Sequence, residues 1–118
     1  MRLLACLLAT ALVLPAAAKP AAVSLRLTKG TERHIRERHF PGGRQTRGKS
    51  VFLEGIDLEA LLAAAASAKP RRQANGRDKR VVDAGKPVGT DGRTRRLVKT
   101  YVVISEPDGL VITAYPGD

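Results

Sequence analysis

Residues 95–115 read RRLVKTYVVISEPDGLVITAY and carry the clearest secondary-structure signal in the chain. Side chains alternate with a period of two from Arg95 to Ser105, which is typical of a β-strand. The alternation places Leu97, Tyr101 and Val103 on one face and Val98, Val102 and Ile104 on the other. Glu106–Gly109 has proline at the second position of a β-turn, and Leu110–Tyr115 reads as the partner strand. We therefore predict an antiparallel hairpin.

Two helices are predicted before this hairpin. Asp57–Ala68 begins with a capping aspartate and carries apolar residues at helical spacing. These are Leu58, Leu61, Leu62 and Ala65. A shorter helix over 32–40 follows Thr31 as its N-cap and must end at Pro41-Gly42-Gly43. Since helices come first and strands last, we predict an α+β fold with N-terminal helices packed on a C-terminal antiparallel β-sheet.

The N-terminus reads as a secretory signal peptide over residues 1–18. Arg2 supplies the charge, Leu3–Leu14 the apolar stretch and Pro15–Ala18 a small-residue cleavage site. A membrane anchor is the alternative, but the apolar stretch is short for a membrane span. We predict a linker or N-terminal strand over 19–27 and one domain over 28–118. The mature protein is then a secreted or periplasmic monomer without stable membrane insertion.

The chain is strongly basic, with 21 Lys and Arg against 11 Asp and Glu, a net charge of +10. Loss of Arg2 with the signal peptide leaves 20 basic residues against 11 acidic ones, a charge of +9. Such a field attracts nucleic acid, anionic lipid or polysaccharide. Cys6 is the only cysteine and lies in the signal peptide, so the mature chain can form neither a disulfide nor a thiolate zinc site.

Residues 71–92 are polar and rich in turn-forming residues. Arg71–Arg80 is basic and contains Gly76, which favours a solvated loop, with a dedicated RNA-contact loop as the alternative. Val81–Asp83 is predicted to form a short strand, and Ala84–Gly92 is turn-rich.

Both histidines of the protein, His34 and His39, lie in the predicted first helix among arginines. Imidazole exchanges protons near neutral pH, so two of them among cations suggest acid–base chemistry on an anionic substrate. An ideal helix would hold the two rings roughly 140° apart. We expect them to converge only if His39 lies in the last, unwinding turn.

Two hydroxyl groups are predicted on one face of the last strand. Thr113 and Tyr115 are two residues apart, and the alternation puts Val111 on the same face. These side chains could orient a phosphate and stack a base. Alternatively, Tyr115 packs at the sheet edge and Thr113 merely suits a strand.

Read together, several short motifs resemble the bacterial EndoU-type nucleases, which occur as toxin domains in interbacterial competition systems. In chain order they are His34-Ile35-x-x-Arg38-His39, Gly48-Lys49-Ser50-x-Phe52, a short helix, Gly92 with a valine-rich strand, and Gly109-Leu110-Val111-Ile112-Thr113-Ala114-Tyr115-Pro116. The resemblance covers about residues 28–117. It implies a compact EndoU- or barnase-like α+β nuclease.

The resemblance also implies an activity: endoribonucleolytic cleavage through the RNA's own 2′-hydroxyl, leaving a 2′,3′-cyclic phosphate. His34 and His39 match the catalytic histidines, and Thr113 and Tyr115 match the element that positions phosphate and base. Lys49 is the motif-matched basic residue, with Lys86 and Lys99 as rivals. We expect RNA contacts from Arg36, Arg38, Arg44, Arg47 and Ser50. No metal or other cofactor is expected.

Two other functions fit the same residues. One is a non-catalytic cationic module that binds nucleic acid or anionic surface polymers. The other is a metal site formed by the histidines with Glu32 or Glu37. If the protein is an exported nuclease, we also expect an acidic immunity protein that covers the basic cleft.

Overall fold

The structure is a computed structural model that describes residues 23–118. The predicted signal peptide (1–18), its cysteine and residues 19–22 of the predicted linker lie outside the described residues. No helix within 23–118 has the length and apolar character needed to cross a membrane.

The described part of the chain contains two helices and seven short strands, which confirms the α+β class. Helix α1 spans Lys29–His39 and α2 spans Leu58–Ala65. The strands are β1 (Val51–Phe52), β2 (Arg71–Arg72), β3 (Asp78–Asp83), β4 (Gly89–Thr90), β5 (Leu97–Val98), β6 (Thr100–Ser105) and β7 (Val111–Pro116). Only β1 precedes α2, so the helices lie N-terminal to the main sheet.

The strands form two antiparallel sheets, with orders β1-β4-β5 and β2-β3-β6-β7. The predicted β6–β7 hairpin is confirmed. A continuous strand over Arg95–Ser105 is not formed, because β5 pairs with β4 in one sheet and β6 lies in the other. Leu97 is consequently 58% exposed instead of facing the core.

A β-bulge changes which side chains of β7 face the core. Ile104 pairs with Thr113, but Ser105 pairs with Val111, so Ile112 is an extra residue. Val111 is therefore buried with Ala114, not on the face of Thr113 and Tyr115 as strict alternation predicts.

The helix ends follow their capping residues. Asp57 caps α2 as predicted, and its Oδ1 accepts hydrogen bonds from the backbone of Glu59 and Ala60 at 3.0 and 3.3 Å. Helix α2 ends at Ala65, short of the predicted Ala68. The N-cap of α1 is Thr28, not Thr31, because the Thr28 hydroxyl accepts the backbone N–H of Thr31 at 3.2 Å.

The predicted loop Arg71–Arg80 is mostly a hairpin. Arg71 and Arg72 pair with Lys79 and Asp78. The Asn75-Gly76 dipeptide between these two strands favours a tight turn, and Gly76 has φ +86. Arg80 is only 2% exposed, so it lies inside the protein rather than in solvent.

The core lies between the helices and one face of the four-stranded sheet. Phe52 contacts Phe40 and Tyr101, with ring centroids 5.1 and 6.5 Å apart. The Tyr101 hydroxyl donates to the Leu61 carbonyl of α2 at 2.7 Å. Ile35 of α1 packs in this core, and α1 contacts β7. The packing thus fixes α1 along the edge strand.

Candidate active site

A groove of about 490 Å³ runs between the last turns of α1 and the edge strand β7. All five predicted catalytic residues line it, together with two predicted RNA-binding residues and one residue that was not predicted. They are His34, His39, Lys49, Thr113 and Tyr115, then Arg38 and Ser50, and finally Ile112. The helix, the loop before β1 and the last strand therefore contribute to one site.

The two histidines share the groove because of the way α1 packs. At about 100° per residue, Arg38 and Ile35 lie between His34 and His39 in helical projection. Ile35 is fully buried, so the side of α1 that carries Ile35 packs against the core beside β7. His39 is the last helical residue, and Phe40 has already turned to an extended conformation before Pro41. Both imidazoles therefore reach the same groove.

His39 is held from two sides. Its Nδ1 lies 2.8 Å from the backbone carbonyl oxygen of Ser50, and its ring centroid lies 5.7 Å from that of Tyr115. A carbonyl oxygen can only accept, so Nδ1 carries the hydrogen of this bond. The neutral ring then keeps its lone pair on Nε2, the nitrogen that a general base needs.

The surroundings of His39 favour its neutral form. Burial lowers the pKa of the imidazole below its ordinary value of 6.5. The hydrogen bond to Ser50 opposes this shift, and the charges of Lys49, His34 and Arg38 add to it. His39 is therefore largely unprotonated at neutral pH.

Tyr115 keeps its proton in the groove. Burial raises the pKa of its phenol above the ordinary value of 10.0, against an opposing effect of the Arg93 guanidinium. The hydroxyl is thus available as a hydrogen-bond donor near neutral pH. Thr113 lies on the same side of β7, as the sequence predicts.

The segment 48–52 supplies Lys49 and the support for His39. Lys49 lines the groove, whereas its rivals Lys86 and Lys99 do not. The Ser50 hydroxyl accepts the backbone N–H of Gly92 at 2.8 Å, while its carbonyl binds His39. A side chain at Gly92 would collide with the backbone of Lys49 and Ser50, so this contact requires glycine.

Three of the arginines predicted to bind RNA lie away from the groove. Arg36 and Arg44 line a separate cavity of about 640 Å³, and Arg47 lies in neither cavity. Arg36 projects from another side of α1, where it pairs with Glu32 at 3.0 Å and covers the Phe40 ring at 4.9 Å. Their predicted RNA contacts would therefore lie outside the groove that holds the histidines. Arg38 does line the groove, with its Nε donating to Gln45 at 3.2 Å.

Sequence reasoning missed two parts of the site. Ile112 enters the groove because of the bulge in β7, which strict alternation cannot anticipate. A second cavity of about 320 Å³ adjoins the groove, shares Ser50 and Tyr115 with it, and is also lined by Asp91 and Arg93. The Asp91-Gly92 dipeptide signals only a turn, although Asp91 is 7% exposed and accepts the Arg93 backbone N–H at 2.7 Å.

The chain matches no protein-family model, and none of the curated proteins compared with it matches at a significant level. Among residues 23–118, no three His, Cys, Asp or Glu residues are grouped so that they could hold a metal ion.

Proposed function

We propose that the mature protein is an exported, metal-independent endoribonuclease that leaves 2′,3′-cyclic phosphate ends. The observation that supports this most is the meeting of two histidines, a lysine and two hydroxyl side chains in one groove. RNA cleavage through its own 2′-hydroxyl requires no nucleophile from the protein. It requires a base, an acid and positive charge near the phosphate, and the groove residues can supply all three.

In this proposal His39 is the general base. Its Nε2 takes the proton of the 2′-hydroxyl while the 2′-oxygen forms a bond to phosphorus. His34 is the general acid and gives a proton to the 5′-oxygen as the bond from phosphorus to that oxygen breaks. The lowered pKa of His39 supports this assignment, since a base must be unprotonated before the reaction.

Lys49 and the hydroxyl groups of Thr113 and Tyr115 then face the phosphate. A lysine stabilises the additional negative charge of the transition state. Tyr115 donates a hydrogen bond to a non-bridging oxygen and offers its ring face to a base. Arg38 adds positive charge at the same groove.

The proposal is tested by incubating purified mature protein with mixed RNA in EDTA and analysing the product ends. We expect cleavage with cyclic phosphate ends. Salt-dependent binding without cleavage would instead support the non-catalytic cationic module, and cleavage restored only by a divalent ion would support metal-dependent chemistry.

Tyr115→Phe is expected to lower kcat by about 10- to 100-fold, the effect of losing one hydrogen bond to a charged group. The ring is retained, so its contact with His39 and any base stacking persist, and KM should stay near the native value. Steady-state kinetics on a short RNA measure both constants. A native kcat would remove this hydroxyl from the mechanism.

The same groove defines the partner that we propose. An exported ribonuclease endangers its producer, and an acidic immunity protein could block the groove by pairing with Lys49 and Arg38.

A further inference from the structure

Two residues that line the groove, Thr113 and Tyr115, lie on the outer face of the four-stranded sheet, opposite Ala114 in the core. Strand register aligns four residues in one row across this face. Thr113 on β7 pairs with Ile104 on β6, Ile104 pairs with Lys79 on β3, and Lys79 pairs with Arg71 on β2. The row therefore begins at the groove and ends at two cations.

The spacing of the row suits an extended ligand. Neighbouring strands lie about 4.8 Å apart, which puts the backbone of Lys79 about 10 Å and that of Arg71 about 14 Å from Thr113. A second row runs beside it, in which Tyr115 pairs with Val102 and Val102 pairs with Val81. Val102 and Ile104 are buried, at 0% and 9% exposed, whereas Val81 is 42% exposed, so Val81 is the apolar side chain that borders the cationic row at the surface.

Among the described residues, Lys79 and Arg71 differ from the other charged groups of the same hairpin in lacking an acidic partner. Arg72 pairs with Asp78 at 2.6 Å, and Arg77 lies 3.7 Å from Glu106. Within residues 23–118, neither Lys79 nor Arg71 forms an ion pair. The second acidic residue of β3, Asp83, lies at the far end of the strand from Lys79, and its Oδ1 accepts the Gly85 backbone N–H.

We propose that a single-stranded RNA whose scissile phosphate occupies the groove continues across the outer sheet face. Lys79 and Arg71 bind its flanking phosphates, and Val81 supports an unstacked base. This inference rests on the proposed function and extends it, because it assigns substrate-binding residues outside the catalytic groove. Positive charge and continuity with the groove select a nucleic-acid strand as the occupant.

The test uses a double variant, Lys79→Gln with Arg71→Gln. Binding of a single-stranded RNA of about a dozen nucleotides is measured against salt concentration in the His39→Ala background, in which cleavage is slowed by about 10²- to 10⁴-fold. Each lost phosphate contact should reduce the slope of log K against log salt by about 0.7, or about 1.4 for both. When the same double variant retains His39, its KM for this longer RNA should rise, while its rate of cleavage of a dinucleotide should stay native.

The matched control is Lys29→Gln with Arg33→Gln. It removes the same charge from exposed positions of α1 that line the separate cavity, and it should keep the native salt slope. An unchanged slope in the sheet variant, or equal losses on the dinucleotide and the long RNA, would overturn the inference. Failure of the native protein to cleave either RNA would count against the proposed function instead.

Discussion

Replacing His39 with alanine is expected to lower the rate of RNA cleavage by about 10²- to 10⁴-fold, the usual contribution of a general base. RNA binding should remain close to native, because the cations around the groove are retained. The reason lies in the geometry of His39: Ser50 occupies Nδ1, and Nε2 is left to accept a proton in the groove. Initial rates with a short RNA and binding to an uncleavable analogue measure the two effects.

The control is Arg36→Ala, on the same helix but facing the separate cavity. It should retain native cleavage, which shows that loss of a basic residue from α1 is not enough to reduce the rate. Native cleavage by His39→Ala would refute the role of this imidazole. Equal losses in both variants would point to damage to the helix rather than to lost proton transfer.

The pH dependence of the native protein provides a second readout of the same role. A base works when it is unprotonated, so the rate should rise with pH until His39 has lost its proton. Since burial lowers its pKa, the midpoint of this rise should lie below 6.5. The unfolded chain binds the proton first as pH falls through 6.5, so the free energy of unfolding should decrease below that pH. A midpoint above 6.5 would contradict the assignment.

Replacing Arg80 with methionine and Ser105 with alanine is expected to raise the free energy of unfolding by about 1–4 kcal/mol. Arg80 is 2% exposed, its Nη1 donates to the Ser105 hydroxyl at 3.1 Å, and its Nε has no hydrogen-bond partner in the part of the chain that the structure describes. No carboxylate within residues 23–118 forms an ion pair with it. Burying such a cation is costly, and removing both polar partners leaves neither of them unsatisfied.

Urea unfolding of both proteins measures this difference. Arg71→Met in the same hairpin is the control, since it removes an exposed arginine and should change stability by no more than about 0.5 kcal/mol. A less stable double variant would show that the buried guanidinium makes stabilising contacts beyond its bond to Ser105.

Local sequence signals predicted the individual elements well. The Glu106–Gly109 turn led to the β6–β7 hairpin, and Asp57 marked the beginning of α2, because turn and capping chemistry involve only neighbouring residues. The paired histidines, the spacing of Thr113 and Tyr115 and, for Lys49, the family resemblance selected residues that line the groove. These signals could not show that Arg36 and Arg44 line a separate cavity, since a basic composition does not indicate where a side chain lies in space.

The order of helices and strands, the capping of α2 by Asp57 and the position of Thr113 and Tyr115 on one side of a strand follow from the sequence alone. Tertiary structure decided three further features: the separation of β5 from β6, the bulge that brings Ile112 into the groove, and the burial of Arg80. It also decided that His34 and His39 share a groove, through the packing of Ile35 beside β7. Each of these depends on contacts between residues far apart in the chain, whereas periodicity and capping report only on neighbours.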